Sequence, residues 1–142
     1  MPVTRVEVTP RQGEGMRDVR GDVVRRQLKA DHNVDVAHVR SICGYLIQGE
    51  TSADAIADRV DDLFADPIIE QGATNTILLS TGMFADAPDA VITVGFKPGV
   101  TDNPGKAATD GFLTLFPSDV EAKIATYPVS YTHLRAHETH TN

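Results

Sequence analysis

The sequence predicts an α+β fold: a β-α-β-β-α-β sandwich with a mainly antiparallel sheet and helices on one face, followed by the start of a second similar unit. Three observations predict it. Apolar residues switch between period-two and helical spacing, turn-forming residues fall between those segments, and a stretch near the N-terminus recurs near the C-terminus. The composition is an ordinary globular mix, with 41% hydrophobic and 23% charged residues in 142. With 13 Lys and Arg against 20 Asp and Glu the net charge is −7, which disfavours a binder of phosphate backbones. A single cysteine, Cys43, excludes an internal disulfide and a Cys-rich zinc site. No apolar run approaches the roughly 20 residues of a membrane span, and no signal peptide opens the chain, so a cytoplasmic setting is expected.

Val3 to Thr9 alternates, with Val3, Arg5, Glu7 and Thr9 on one face and Thr4, Val6 and Val8 on the other, as in a half-buried strand. Pro10 and Gly13-Glu14-Gly15 break it. Asp18 is a good N-cap for a helix running to about Ala30, with Val19, Val23, Val24 and Leu28 at helical spacing. That helix carries Arg20, Arg25, Arg26 and Lys29 on its exposed face. Val34 to Gln48 reads as a bent strand, or as two strands broken near Ser41 to Gly44. Thr51 or Ser52 caps a second helix, Ala53 to Phe64, whose stripe is Ile56, Val60, Leu63 and Phe64. Asp66-Pro67 stops it, and Asn75 to Ser80 reads as a further strand.

A repeat organises the rest. Val91 to Gly99 mirrors Arg5 to Gly13 at an offset of 86 (99 − 13), and Asp102 to Gly105 mirrors Asp18 to Gly21 at 84 (102 − 18). Each copy has a strand, a glycine turn, then an Asp cap whose helix carries glycine one turn in. That glycine allows close backbone approach at a cost of about 0.5–1 kcal/mol. Ser118 to Glu121 resembles a helix-starting capping box. The repeat instead makes Val120 the counterpart of Val36 at the offset of 84 (120 − 36), and so predicts a strand from Val120 to Tyr127. The organisation expected is a first module over residues 1–82, a linker at 83–89, a truncated second copy at 90–127 and a tail at 128–142.

The tail differs in character, with His133, His137 and His140 among its 15 residues. His133 and His137 at i, i+4 would suit zinc if the segment were helical. However, Val129 to Thr139 closely resembles translated sequencing-adapter DNA, so residues 128–142 are expected to be non-native and to carry no function.

Three runs carry a family resemblance: Phe96 to Ala108, with its Lys97-Pro98-Gly99-Val100-Thr101-Asp102 core; Val36 to Arg40; and Leu63 to Glu70. Over about Val3 to Tyr127 the chain resembles the N-terminal region of phosphoribosylformylglycinamidine (FGAM) synthase, where PurS-like domains are fused ahead of the synthetase. The resemblance implies a part in assembling the synthetase with its glutaminase and sheltering ammonia between them, in de novo purine biosynthesis. It places ATP, magnesium and substrate residues in downstream domains, so no catalytic, cofactor-binding or metal residue is assigned here. The first copy departs from the pattern at Arg11-Gln12-Gly13 and in the Glu14-Gly15 extension, so its turn should differ in shape. The alternative is a free-standing α+β regulatory module that binds a small metabolite.

Sharper chemistry is outweighed residue by residue. A dinucleotide loop at Gly13-Glu14-Gly15 would need its third glycine at Asp18, where a carboxylate repels pyrophosphate. Gly99 to Lys106 lacks the Ser or Thr that follows a Walker lysine. Cys43 as a nucleophile would need His32 or His38 as its base. Asp54, Asp58, Asp61 and Asp62 read as a solvated helix face. The Arg20, Arg25, Arg26 and Lys29 face could dock an acidic partner, and the strand Val91 to Phe96 has an edge that could pair with another copy.

Overall fold

A computed structural model describes residues 2–78, 81, 88–97 and 99–134. The first unit runs β1 (Val3–Pro10), α1 (Val19–His32), β2 (Val36–Gln48), α2 (Ala53–Ala57), α3 (Val60–Leu63) and β3 (Glu70–Thr74). The second runs β4 (Ala90–Thr93), α4 (Asn103–Leu115) and β5 (Lys123–Leu134). All five strands join one antiparallel sheet in the order β3-β1-β2-β5-β4. This is the expected α+β sandwich with its helices on one face, and the two copies share the sheet.

The register shows how the copies are related. Glu7 pairs with Gly44 in the first unit, and Thr93 pairs with Val129 in the second. These pairs match at offsets of 86 (93 − 7) and 85 (129 − 44). Between the units, Ser41 lies opposite Ser130 and Tyr45 opposite Thr126. A pseudo-two-fold axis therefore passes between Cys43 and Pro128, themselves a ladder pair. β5 crosses the boundary expected at residue 128 without a break and stays paired to β2 as far as Leu134.

Side chains alternate across the sheet. On the helical face Val6, Val8, Ile47 and Ile124 pack with Ile56, Val60, Phe64, Ala65 and Phe112 in the main core. On the other face Ile42, Val129 and Tyr131 pack with Leu78, Ala73 and Tyr127. The half-buried reading of the first strand fails on this face: Glu7 and Thr9, expected outside, are 3% and 2% exposed.

Several expected boundaries move. The long strand is a single element whose only irregularity lies between Val36 and His38, so there is no break near Ser41 to Gly44. The second helix forms as two short pieces interrupted at Asp58 and Arg59, capped by the Ser52 hydroxyl accepting from Ala55 N–H. The strand expected at Asn75 to Ser80 lies earlier, at Glu70–Thr74, because Asn75 adopts a left-handed conformation (φ 52°). Asn75 also closes the ladder by accepting from Arg5 N–H at 2.9 Å and donating to the Arg5 carbonyl at 2.7 Å. Residues 79–80, within that expectation, and 83–87 of the expected linker lie outside the described residues. β4 ends at Thr93, short of the expected Phe96. Val120 is 72% exposed in a turn, and β5 begins at Lys123, so the strand offset is 85 and not 84.

Candidate functional site

Two equivalent clasps hold the helices to the sheet. Asp18 accepts from Gly21 N–H at 2.8 Å, from Ser41 N–H at 2.6 Å and from the Ser41 hydroxyl at 2.7 Å. Asp102 accepts from Gly105 N–H at 2.8 Å, from Thr126 N–H at 2.7 Å and from the Thr126 hydroxyl at 2.7 Å. Burial pushes the Asp102 carboxyl up, but the hydrogen bonds from Thr126 and Gly105 outweigh it and hold the group below its ordinary range. Each glycine lets the helix touch the strand backbone: a Cβ on Gly21 would collide with the Val39 carbonyl, and one on Gly105 would lie 2.6 Å from the Ile124 carbonyl. A carboxylate thus occupies both helix N-termini, which closes them to a phosphate at Gly13-Glu14-Gly15 or Gly99 to Lys106. The turns before the helices keep their glycines at positive φ, 136° at Gly13 and 86° at Gly99, and Gly15 (φ 79°) adds the expected difference in shape.

A third carboxylate joins the units. Asp119 accepts from the Thr51 hydroxyl at 2.6 Å, from Thr51 N–H at 2.9 Å and from Glu50 N–H at 3.1 Å. The Thr51 hydroxyl is the main reason its carboxyl sits below the ordinary range, with burial opposing. This explains why the capping-box signal at Ser118 to Glu121 starts no helix: its carboxylate caps the β2–α2 loop.

The helix-free face holds the strongest candidate site, a cavity of about 270 Å³. Arg5, Glu7, Ile42, Leu46, Tyr127 and Val129 contribute to its lining. The Tyr127 hydroxyl donates to Glu7 Oε2 at 2.7 Å, and Leu78 N–H donates to Glu7 Oε1 at 2.8 Å. The Arg5 guanidinium lies 5.5 Å from the centre of the Tyr127 ring. Glu7 and Tyr127 are in strands separated by β2, and the Tyr127 ring crosses that strand at Gly44, where any Cβ would strike it. Burial, then the hydrogen bond to Glu7 and its charge, push the Tyr127 hydroxyl above its ordinary value, so it remains a donor at neutral pH. Arg5 opposes that shift. The arrangement can hold a small, largely apolar molecule with one polar group against Arg5 or Tyr127.

Glu7 and Tyr127 were not singled out by the sequence. Glu7 sat at an alternating position that reads as exposed, and the available signal was a glycine at 44 in an otherwise bulky strand. The residues weighed for other chemistry stay apart. Cys43 is half-buried and hydrogen-bonded to Arg20, whose guanidinium is shifted up by it. His38 is exposed five residues away along β2, and His32 ends α1, so neither stands as a base beside the thiol. His133 belongs to a strand, which removes the helical spacing its zinc reading needed, and His137 and His140 lie outside the described residues. Among the described residues no three of His, Cys, Asp and Glu converge to hold a metal ion, and no helix is long and apolar enough to cross a membrane.

Comparison with protein-family profiles gives no match, and comparison with curated proteins gives none. Among solved structures, a chain of the PurLQS structure from Thermotoga maritima is a structural neighbour. It matches 54% of this chain and the whole of that chain, at 17% identity and a TM-score of 0.37.

Proposed function

We propose that this chain is an assembly element of an FGAM synthase in purine biosynthesis, acting as a scaffold in place of a catalyst. The observation that carries the reading is the doubled β-α-β unit, whose second clasp takes Asp102 and Gly105 from the Lys97 to Gly105 run that resembles the family and closes on Thr126 of β5. On this reading the partners are the synthetase domains and the glutaminase, the setting is cytoplasmic, and ATP and magnesium are bound by the synthetase. The chemistry supports a structural part: the buried carboxylates Glu7 and Asp119 accept hydrogen bonds that tie one unit to the other.

The test is to combine the chain with the synthetase and glutaminase of an FGAM synthase lacking its own small subunit. Glutamine-dependent amidine formation should rise at least tenfold, with ammonia-dependent formation unchanged and no ATP turnover by the chain alone. Absence of a complex, or turnover traceable to this chain, would overturn it. The cavity at Arg5 and Tyr127 favours a second reading, a regulatory module that binds a small metabolite. Saturable binding of a metabolite there, with no complex formed, would select that reading.

A further inference from the structure

Another cavity, of about 230 Å³, lies where β1 leaves the sheet, and the first unit alone builds it. Thr9, Arg11, Gln12, Gly13, Asp18 and Arg40 contribute to its lining. Arg11 is pinned at its edge: its backbone N–H donates to the Ile69 carbonyl at 2.8 Å and its Nε to the Pro67 carbonyl at 3.0 Å. Among the described residues that leaves both terminal nitrogens of its guanidinium for another acceptor. Arg40 arrives half-buried from β2. The β1–β2 ladder ends at Val8 and Cys43; carried three residues further (8 + 3 and 43 − 3) it sets Arg11 opposite Arg40. Like charges facing each other across a ladder repel. Among the described residues neither arginine has a carboxylate partner, the ion pairs being Arg17–Asp22 and Arg59–Asp62. Asp18 supplies the carboxylate of the lining, and Gly21 and Ser41 engage both its oxygens. The second copy shows what the fold itself requires. It keeps the clasp, yet Lys97 stands for Arg11 and Pro98 for Gln12 at the offset of 86, and Ala125 for Arg40 at 85 (125 − 40). Strand, turn and helix form there without the facing guanidiniums, so folding does not account for them.

We propose that this cavity binds a phosphoryl group, as inorganic phosphate or as the end of a small phosphomonoester. Each guanidinium is a planar fork that can hold two oxygens at once, and a bound anion removes the repulsion between the two. A tetrahedral phosphate has oxygens enough for both forks, whereas a carboxylate has two in all. Pinning Arg11 in advance spares the ligand the cost of ordering that side chain. The site lies beside the N-terminus of α1, where Asp18 caps Gly21, and so is not a phosphate loop. The acidic net charge does not oppose it, because one phosphate needs two cations and not the basic surface of a nucleic-acid binder. The inference depends neither on the purine reading nor on residues from 128 onward.

Inorganic phosphate is the probe, titrated into the full chain at constant ionic strength against chloride and followed by backbone amide shifts. Saturable binding should perturb Arg11 to Met16 and Arg40, with half-saturation at about 1 mM or below. It should weaken about tenfold or more in Arg11→Gln and in Arg40→Gln. Arg40→Lys, which keeps the charge and loses the fork, should fall between. Lys97→Gln, at the matching place in the second copy, should bind as the parent does. Arg40 carries the test if losing the Arg11 bond to Pro67 disturbs the fold. Glycerol 3-phosphate binding at least as tightly as phosphate supports the proposal with a phosphomonoester as the source, and binding of phosphate alone supports it with the free ion. Acetate binding as tightly as phosphate, shifts that chloride reproduces, no saturation at about 10 mM, or binding that both glutamine substitutions leave unchanged would overturn it.

Discussion

The helices α1 and α4 are held to the sheet by the same clasp and yet lie in opposite surroundings. In α4, Phe112 is fully buried beneath the α2–α3 segment, while its counterpart Leu28 in α1 is only half-buried. The clasp is short-range chemistry, an Asp cap, a glycine one turn in and a hydroxyl on the next strand, so it recurs wherever the residues recur. Burial of the outer stripe depends on a segment distant in sequence, so it differs. Repeating the sequence of a helix repeats its seating on the sheet, but not its share of the core.

The largest effect that would sharpen this contrast is at the matched pair. Phe112→Ala should cost about 3–5 kcal/mol and Leu28→Ala about 1 or less, by urea denaturation. Equal losses would erase the distinction between the covered and bare halves. Next come the two glycines: Gly21→Ala and Gly105→Ala should each cost about 2–4 kcal/mol, since the colliding atom is a backbone carbonyl that cannot turn away. Gly111→Ala, where the nearest atom is Leu63 Cδ2 at 3.8 Å, should instead stabilise α4 by about 0.5–1 kcal/mol.

Tyr127 breaks the symmetry, because its counterpart across the axis is Ile42. Tyr127→Phe should cost about 1–3 kcal/mol by leaving Oε2 of the buried Glu7 carboxylate without its tyrosine donor, with only the Leu78 N–H bond to Oε1 kept. The folded hydroxyl binds its proton more tightly than the unfolded one. The parent should therefore lose stability as pH rises above 10.0, the unfolded value, more steeply than Tyr127→Phe does. Asp102→Asn should cost about 1–2 kcal/mol at neutral pH. The Asp102 carboxyl is held low, so its stabilisation is present above the unfolded value of 3.8 and is lost as pH falls below it. Chemical denaturation across pH 2–5 should show that acid loss reduced in Asp102→Asn.

Much of the fold was legible because its signals are local. The Asp18 and Asp102 caps, the β1 and β2 strands and the repeat can all be read from neighbouring residues. What escaped depends on distant partners. Asp119 spends its capping capacity on the loop at Glu50 and Thr51, so a correct local motif starts no helix. Glu7 is buried because a tyrosine two strands away and the Leu78 backbone reach it. The β3 strand was displaced because the apolar run after Asn75 sends Leu78 across the bare face, while the less apolar Glu70–Thr74 pairs with β1. The cavity, assembled from four separate strands and the segment near Ile77, left only Gly44 as a trace in the sequence.

The two-fold relation is most directly tested at its axis, where the chain's single cysteine faces Pro128. Pro128→Cys should form an intramolecular disulfide with Cys43 under mild oxidation, seen as an oxidised monomer that a reductant reverses. Val129→Cys, with its side chain on the other face of β5, should form none. An equal or greater yield at 129, or no cross-link at 128, would place the strands in another register and contradict the two-fold arrangement.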